Sequence, residues 1–302
     1  MKRRFFTPRI NQADTIVVYD LSNLAYRSWH GYPYMEYKGN PVHHLFGTLR
    51  SLVSFFNLND PLLDGNIALV FAVDGDPLWR SALYPEYKKN REHRINPVPA
   101  VVKLFANIPN SYRVVSPLDE ADDVIAWLCH KFKDKDIVVV SSDKDLWQLT
   151  ESPNVHFYDN RLKQYIGEST IQKDFGFSSP GNIGMFKALF GDKGDNIKPV
   201  APNIRRSVFV KALNDYDTTT HSIESFFKYL KINGLKKGES RILDKLEEVK
   251  TNYTIVRLSP THKLHSPLKI SHNTSNTLKP MLDILHSYRI VKLDRKLELF
   301  LN

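Results

Sequence analysis

Three short runs of uninterrupted apolar residues, rich in β-branched side chains, mark the first half of the chain: residues 15–19, 67–73 (IALVFAV) and 137–140 (IVVV). Runs of this length without alternation read as strands buried on both faces, which is how a parallel sheet is written in sequence. Between them the apolar period becomes helical. Residues 42–56 place Leu45, Leu49, Leu52, Val53 and Phe56 on one face, and residues 120–132 do the same with Val124, Ile125, Leu128 and Phe132. Strands alternating with helices predict a parallel α/β sheet. From about Phe177 onward the pattern is almost wholly helical, with helices expected over 223–230, 240–250 and 278–288. A boundary near residue 180 therefore divides an α/β part, 1–180, from an α-helical part, 181–302.

Each strand run ends on or just before an acid: Asp20, Asp74 and Asp143. In open parallel sheets, function collects at the carboxyl ends of strands. Six more acids follow the same logic: Glu120, Asp122 and Asp123 open a helix, Asp145 begins another, and Asp192 and Asp195 sit in the turn GDKGD. The Glu120–Asp123 cluster, Asp143 with Asp145, and Asp20 can each be read as helix caps, and GDKGD as a plain surface turn. Repetition at three strand ends, with a helix-opening triple besides, is what capping does not explain. Carboxylates brought together raise one another's pKa unless a cation holds them. An all-oxygen cage suits a hard divalent ion, magnesium or manganese.

Charge sharpens this picture. The 302 residues carry a formal net charge of +9. With the nine clustered acids set apart, 42 Lys and Arg face 24 acids, a surplus of 18. A basic body around an acidic, metal-binding pocket suits a polyphosphate substrate. The segment LYPEYKKNREHR interleaves Tyr84 and Tyr87 with Lys88, Lys89, Arg91 and Arg94. That mixture suits a single strand, by stacking and phosphate pairing, and its cations could reach a scissile phosphate. The prolines that follow break any helix, so residues 77–109 read as an insertion over the sheet edge. Past the glycines Gly191 and Gly194, a helix start carries Arg205, Arg206 and Lys211. A helix–loop–helix with exposed amides and bases clamps phosphates without reading sequence.

Other features exclude more than they assign. Cys129 is the sole cysteine, so no intrachain disulfide or cysteine zinc site is expected. The pair His43–His44 and His93 have no metal-ligand spacing and read as surface or structural. Trp29, Trp79, Trp127 and Trp147 read as core. No segment approaches the ~20 apolar residues that span a bilayer, and residues 1–14 lack the apolar run of a signal peptide. A cytoplasmic protein is expected, not a secreted one.

Taken in order, VVYDLSNLAYR, FAVDGDPLWR, LYPEYKKNR, DEADD, VVVSSDKDLWQL and ALFGDKGDNI resemble the bacteriophage 5′ nucleases. That family comprises phage flap endonucleases and T-even-like phage ribonuclease H, and is related to the 5′-nuclease domain of bacterial DNA polymerase I. The blocks cover roughly residues 15–210. The resemblance implies a PIN-like, mostly parallel twisted sheet with helices on both faces. A helical arch would lie at about 77–110, and a helix–three-turn–helix element would grip duplex DNA. It implies that Asp20, Asp74, Glu120 and Asp122 hold a first magnesium ion, with manganese as substitute. Asp122, Asp143, Asp145 and Asp195 would serve a second, supported by Asp123 and Asp192. Lys88 and Arg91 would act with the acids on the scissile phosphate. Arg27, Tyr87, Lys88, Arg91, Arg94, Lys193, Arg205, Arg206 and Lys211 would contact DNA.

The implied activity is two-metal hydrolysis of 5′ flaps, nicked or gapped DNA and RNA primers on DNA, as 5′→3′ exonuclease and flap endonuclease in phage replication. Ribonuclease H activity belongs to the same reading. DNA junctions and RNA–DNA hybrids would be its partners, with a single-strand-binding protein or replication polymerase beside them. A monomer without membrane association is expected. One departure stands out. Many relatives follow GDxxDN with a glycine-rich turn that holds a monovalent cation, and IKPVAPNIRR lacks those glycines, which argues against potassium. Two other readings are a catalytically idle junction-binding protein of the same fold and a PIN-type single-strand ribonuclease. The full set of acids opposes the first, and the appended GDKGDN block opposes the second.

Overall fold

The computed structural model of the chain describes residues 4–7, 9–58, 60–91, 95–201, 204–216, 222–233, 235, 240–258, 263–293 and 296–297. Its strands, in chain order, are β1 (Arg4–Phe6), β2 (Thr15–Asp20), β3 (Glu36–Tyr37), β4 (Asn40–Pro41), β5 (Gly65–Val73), β6 (Ser111–Val115), β7 (Asp136–Ser141), β8 (Val155–Asp159), β9 (Gln164–Tyr165) and β10 (Lys269–Asn273). The three apolar runs form the middle of one sheet of order β10–β6–β5–β2–β7–β8–β9, with β1 also pairing β5. Val17 of β2 lies opposite Leu69 of β5 and Val138 of β7, both in parallel register. Among the described residues, only β9 and β10 run antiparallel to their neighbours in this sheet. β3 and β4 make a separate small hairpin.

The helices are α1 (Leu21–Gly31), α2 (His43–Phe56), α3 (Leu78–Leu83), α4 (Val98–Phe105), α5 (Ala121–Lys131), α6 (Glu168–Phe175), α7 (Asn182–Phe190), α8 (Arg206–Asp215), α9 (Ile223–Ile232), α10 (Leu246–Val256) and α11 (Lys279–Ser287). They cover both faces of the sheet. Val17 and Tyr19, Leu69 and Phe71, and Val138 and Val140 pack against α1, α2, α4 and α11. Their neighbours Ile16 and Val18, Val70 and Ala72, and Ile137 and Val139 join the core built with α5 to α10. Neither face is wet, so the strands carry no polar alternation. Burying each Val, Leu or Ile in this way contributes roughly 1.5–3 kcal/mol.

The same parity aims the site. Asp20 has the parity of Ile16 and Val18, so its carboxylate points to the α5 side. Ser141 shares the parity of Ile137 and Val139, and its hydroxyl donates to Asp20 Oδ2 at 2.8 Å.

Two expectations change. The last third is not wholly helical, because β10 adds an edge strand beside β6 and α11 packs back on the α2 face. β10 reads KISHN, an outer strand with three exposed residues and no apolar alternation, so periodicity carries no signal for it. The stretch expected as an arch, 77–110, also ends in a core helix. Val98, Val101, Leu104 and Phe105 of α4 are buried. Proline interruptions just before α4 hide its short apolar period.

Candidate active site

β2, β5 and β7 deliver Asp20, Asp74 and Asp143 to one edge of the sheet, and the start of α5 delivers Glu120 and Asp122. Together with Asn23, Tyr26 and His30 of α1, and with Lys88 and Arg91, they line a cleft of about 360 Å³. Local structure explains each position. Asp20 caps α1, accepting from Asn23 N at 3.0 Å, and still faces the cleft. Asp74 accepts from Ala121 N at 2.8 Å, which ties the end of β5 to the start of α5. Asp143 caps the short 3-10 turn Lys144–Glu151 by accepting from Asp145 N at 2.9 Å. Capping and cleft lining therefore coexist in the same side chains.

A second group lies beside the first. Asp145, Asp192 and Asp195 each present an oxygen, and these oxygens lie within 4.8 Å of one another. The Asp192–Asp195 turn is closed by Asp192 Oδ1, which accepts from Gly194 N and Asp195 N. Gly191 enters it at φ 72°, where a side chain would meet backbone atoms of residues 197–199.

The basic segment is docked onto this turn. Lys88 N donates to Asp195 O at 3.0 Å. Arg91 donates to Gly194 O and, at 2.9 Å, to Asp195 Oδ1. Asn90 donates to Lys193 O, and Asn196 to Glu86 O. Lys88, at φ 53°, then turns its ammonium to Glu120 Oε1 at 2.5 Å, with Asp195 Oδ1 at 3.6 Å.

The electrostatics separate the acids. Burial, with Asp74 adding to it, pushes Asp20 up to about 8. Burial and the neighbours Asp143, Asp20 and Glu120 push Asp122 well above the carboxylate range. Burial also raises Asp74, Asp143 and Asp195. Glu120 is different: burial pushes it up, but Lys88 and Arg80 outweigh that and hold it below its ordinary value. Asp192 is likewise held low, against burial, by Lys187. Uncompensated carboxylates crowded in one cleft, offering only oxygen donors, fit a hard divalent cation.

The structure corrects two assignments. Asp123 was expected to support a metal. Instead both its oxygens are taken by the Arg80 guanidinium, at 2.5 and 2.7 Å, and Oδ2 also accepts from Glu120 N. It lies in the interior with 0% exposure and holds the start of α5 rather than facing the cleft. Tyr87 was expected to meet DNA. It is 6% exposed and its hydroxyl donates to Glu120 Oε2 at 2.7 Å, so its ring is packed under the basic segment.

The remaining expected contacts are spread out. Lys193, Arg205 and Lys211 are exposed. Arg206 spends its guanidinium on the carbonyls of Asp174 and Phe175 and on the Phe186 ring, pinning α8 to α6 and α7. Arg27 donates to the Asn160 side chain and lines a different cleft. Arg94 and His93 lie outside the described residues. His43 and His44 are buried against Trp29, so they are structural rather than surface residues.

Lys187 and Arg80 escaped the sequence reading. Lys187, on α7, bridges Asp145 and Asp192. Arg80, on α3, is buried between Asp123, Glu120 and Ile255 O. A lysine or arginine in a helix carries no signal of its own. Asn23, Tyr26 and His30 could have been found, since they fall at helical spacing after the strand-end acid.

Residues 15–176 match the family described as 5′-3′ exonuclease, N-terminal resolvase-like domain. The chain belongs to the 5′-3′ exonuclease family. It is thereby an enzyme of the metal-dependent 5′-3′ exonuclease and flap endonuclease class. It is 29% identical to the 5′-3′ exonuclease of Aquifex aeolicus over 285 residues, covering 92% of this chain and 94% of that one. It is 30% identical to the 5′-3′ exonuclease of Mycoplasmopsis pulmonis over 82% of each. Its fold is similar to that of the bacteriophage T5 flap endonuclease solved with DNA and metal ions. The TM-score is 0.59 at 18% identity, covering 95% of this chain and 98% of that one. The matched segment contains the acids of the first cleft, while Asp192 and Asp195 lie beyond it. Among the described residues, no helix is long and apolar enough to cross a membrane.

Proposed function

We propose that this protein is a structure-specific 5′ nuclease. It hydrolyses phosphodiesters at 5′ flaps, at nicks and gaps and in RNA primers paired to DNA, and serves DNA replication. The observation that carries this reading is the convergence of Asp20, Asp74, Glu120, Asp122 and Asp143 on one cleft, with Lys88 and Arg91 on its rim. The family match supports the reaction class, and the phage fold likeness supports the junction-gripping architecture.

Asp20, Asp74, Glu120 and Asp122 would hold one divalent cation, and Asp143, Asp145, Asp192 and Asp195 a second, with magnesium as the natural choice. Bound there, such ions supply an acidified water and charge stabilisation for the departing oxygen. The chain's own groups do the rest. Lys88 and Arg91, now paired with Glu120 and Asp195, would exchange those partners for the scissile phosphate and offset its growing charge. Tyr87 keeps Glu120 oriented through its other oxygen while Lys88 moves. Asn23 braces the strand-end loop by accepting from Ser142. The α7–α8 unit, with Lys193, Arg205 and Lys211 exposed, would hold duplex phosphates and so read structure rather than sequence.

The test is cleavage of a labelled double-flap DNA by the wild type and by Asp20→Asn. Cutting at the junction in magnesium by the wild type alone supports the reading. A wild type that leaves the flap intact in both magnesium and manganese refutes it.

A further inference from the structure

A second cleft, of about 500 Å³, lies on the other flank of α1. α1 is the wall between the two. Asn23, Tyr26 and His30 face the acids, whereas Arg27, Ser28 and Gly31 face the second cleft. Arg50, Ser51 and Ser54 of α2 line it from one side, and Asn160 and Lys163 from the turn between β8 and β9. Among the described residues, three cations line this cleft and no carboxylate does, whereas five carboxylates line its neighbour beside Lys88 and Arg91.

The lining is built rather than loose. Asp159, with 0% exposure, accepts from Arg161 N and Leu162 N on one oxygen, and its carbonyl accepts from Lys163 N at 2.7 Å. That closed turn presents Lys163 at φ 57°. Arg27 donates to the Asn160 side chain, whose own amide donates to Ser51 Oγ at 2.9 Å, linking α1, α2 and the turn. Gly47 lets α1 and α2 close on the Tyr32 ring, which lines the cleft, since a side chain there would meet that ring at 2.5 Å. Arg50 and Lys163 remain exposed. Hydroxyls, an amide and three cations around an open cleft make a receptor for phosphodiester oxygens.

We propose that this cleft is a second phosphate site, which takes the backbone of a nucleic-acid strand as it leaves the acidic cleft across α1. The inference rests on the nucleic-acid reading above and adds where one strand runs. A helix is about 10 Å across, so a single strand of a few nucleotides can touch both clefts at once.

The test is binding of a fluorescent 5′-flap DNA in calcium, with the DNA shown to stay intact, over a range of salt. The double variant Arg50→Glu with Lys163→Glu should bind about tenfold more weakly. It should also lower the slope of log affinity against log salt by about 1.5, as expected for two lost phosphate contacts. Arg50→Lys with Lys163→Arg should bind like the wild type. Lys131→Glu with Lys133→Glu makes the same charge change at the opposite end of the sheet and should change affinity by no more than about twofold. The proposal is overturned if the first double variant stays within twofold of the wild type, or if the Lys131 and Lys133 control loses as much. It is equally overturned if a 5′-mononucleotide competes as well as a single strand of equal phosphate content, because the source would then be a released nucleotide. A wild type that binds no flap at all overturns the nucleic-acid reading, and this one with it.

Discussion

Asp123→Asn and Asp20→Asn should move stability in opposite directions when metal is removed. Asp123 and Arg80 form a two-pronged ion pair with both side chains nearly out of solvent. Breaking such a pair leaves a buried charge uncompensated, at a cost of about 3–5 kcal/mol. Glu120, at 3.5 Å from the same guanidinium, offsets part of that. We therefore expect a loss of ~3 kcal/mol, or roughly 5 °C in Tm for a chain of this size. Asp20 behaves differently because its folded pKa is raised to about 8. A raised carboxylate favours the protonated fold, so its penalty grows as pH rises from its ordinary value toward 8. Replacing it with Asn removes that penalty and should stabilise the metal-free protein at pH 7 by on the order of 1–4 kcal/mol. The assay is thermal unfolding by circular dichroism in EDTA at pH 7. Stabilisation by Asp123→Asn would refute the scaffold role derived from Arg80. Destabilisation by Asp20→Asn would refute the view that its charge is uncompensated without metal.

Further expectations follow from single residues. Lys187→Met should tighten the second divalent site, that of Asp145 and Asp192, by about tenfold, read by calorimetric titration with manganese, because an ammonium bridging those two acids competes with a cation there. Weaker binding instead would mean that Lys187 organises the acids. His44 is buried and held near 4, so the fold keeps it neutral. Stability should be full above its ordinary value of about 6.5 and fall by up to ~3 kcal/mol as pH drops toward 4. His44→Phe should flatten that slope in urea unfolding at pH 4.5 and 7, and an unchanged slope would contradict it. Gly75→Ala would place a Cβ 2.0 Å from Ser116 O and near two more carbonyls. It should shift Asp74 relative to α5 and lower the cleavage rate about 100-fold, and a rate within threefold of wild type would show that the loop yields.

The sheet was legible because its central strands are buried on both faces. The runs at 15–19, 67–73 and 137–140 have no other economical reading. The strand-end acids followed from the same runs. What stayed hidden had physical reasons. β10 is an outer strand with no buried alternation, and α4 is an eight-residue helix entered through prolines. The role of Asp123 could not be read locally, because it depends on Arg80, 43 residues away in sequence. The packing of Tyr87 depends likewise on Glu120. An aromatic among bases looks the same in sequence whether its ring meets a base or a protein interior. Lys187 is the reverse case, an ordinary helical lysine given meaning only when α7 brings it between two acids.

Converging acids that cut nucleic acid at a single-to-double-strand junction leave a defined product, which a map of a 3′-labelled 5′-flap strand in magnesium reads. Cleavage is expected at or within about one nucleotide of the junction, with a 5′-phosphate on the retained strand and no product from Asp20→Asn. An intact flap with the wild type, or equal cleavage by Asp20→Asn, would contradict it.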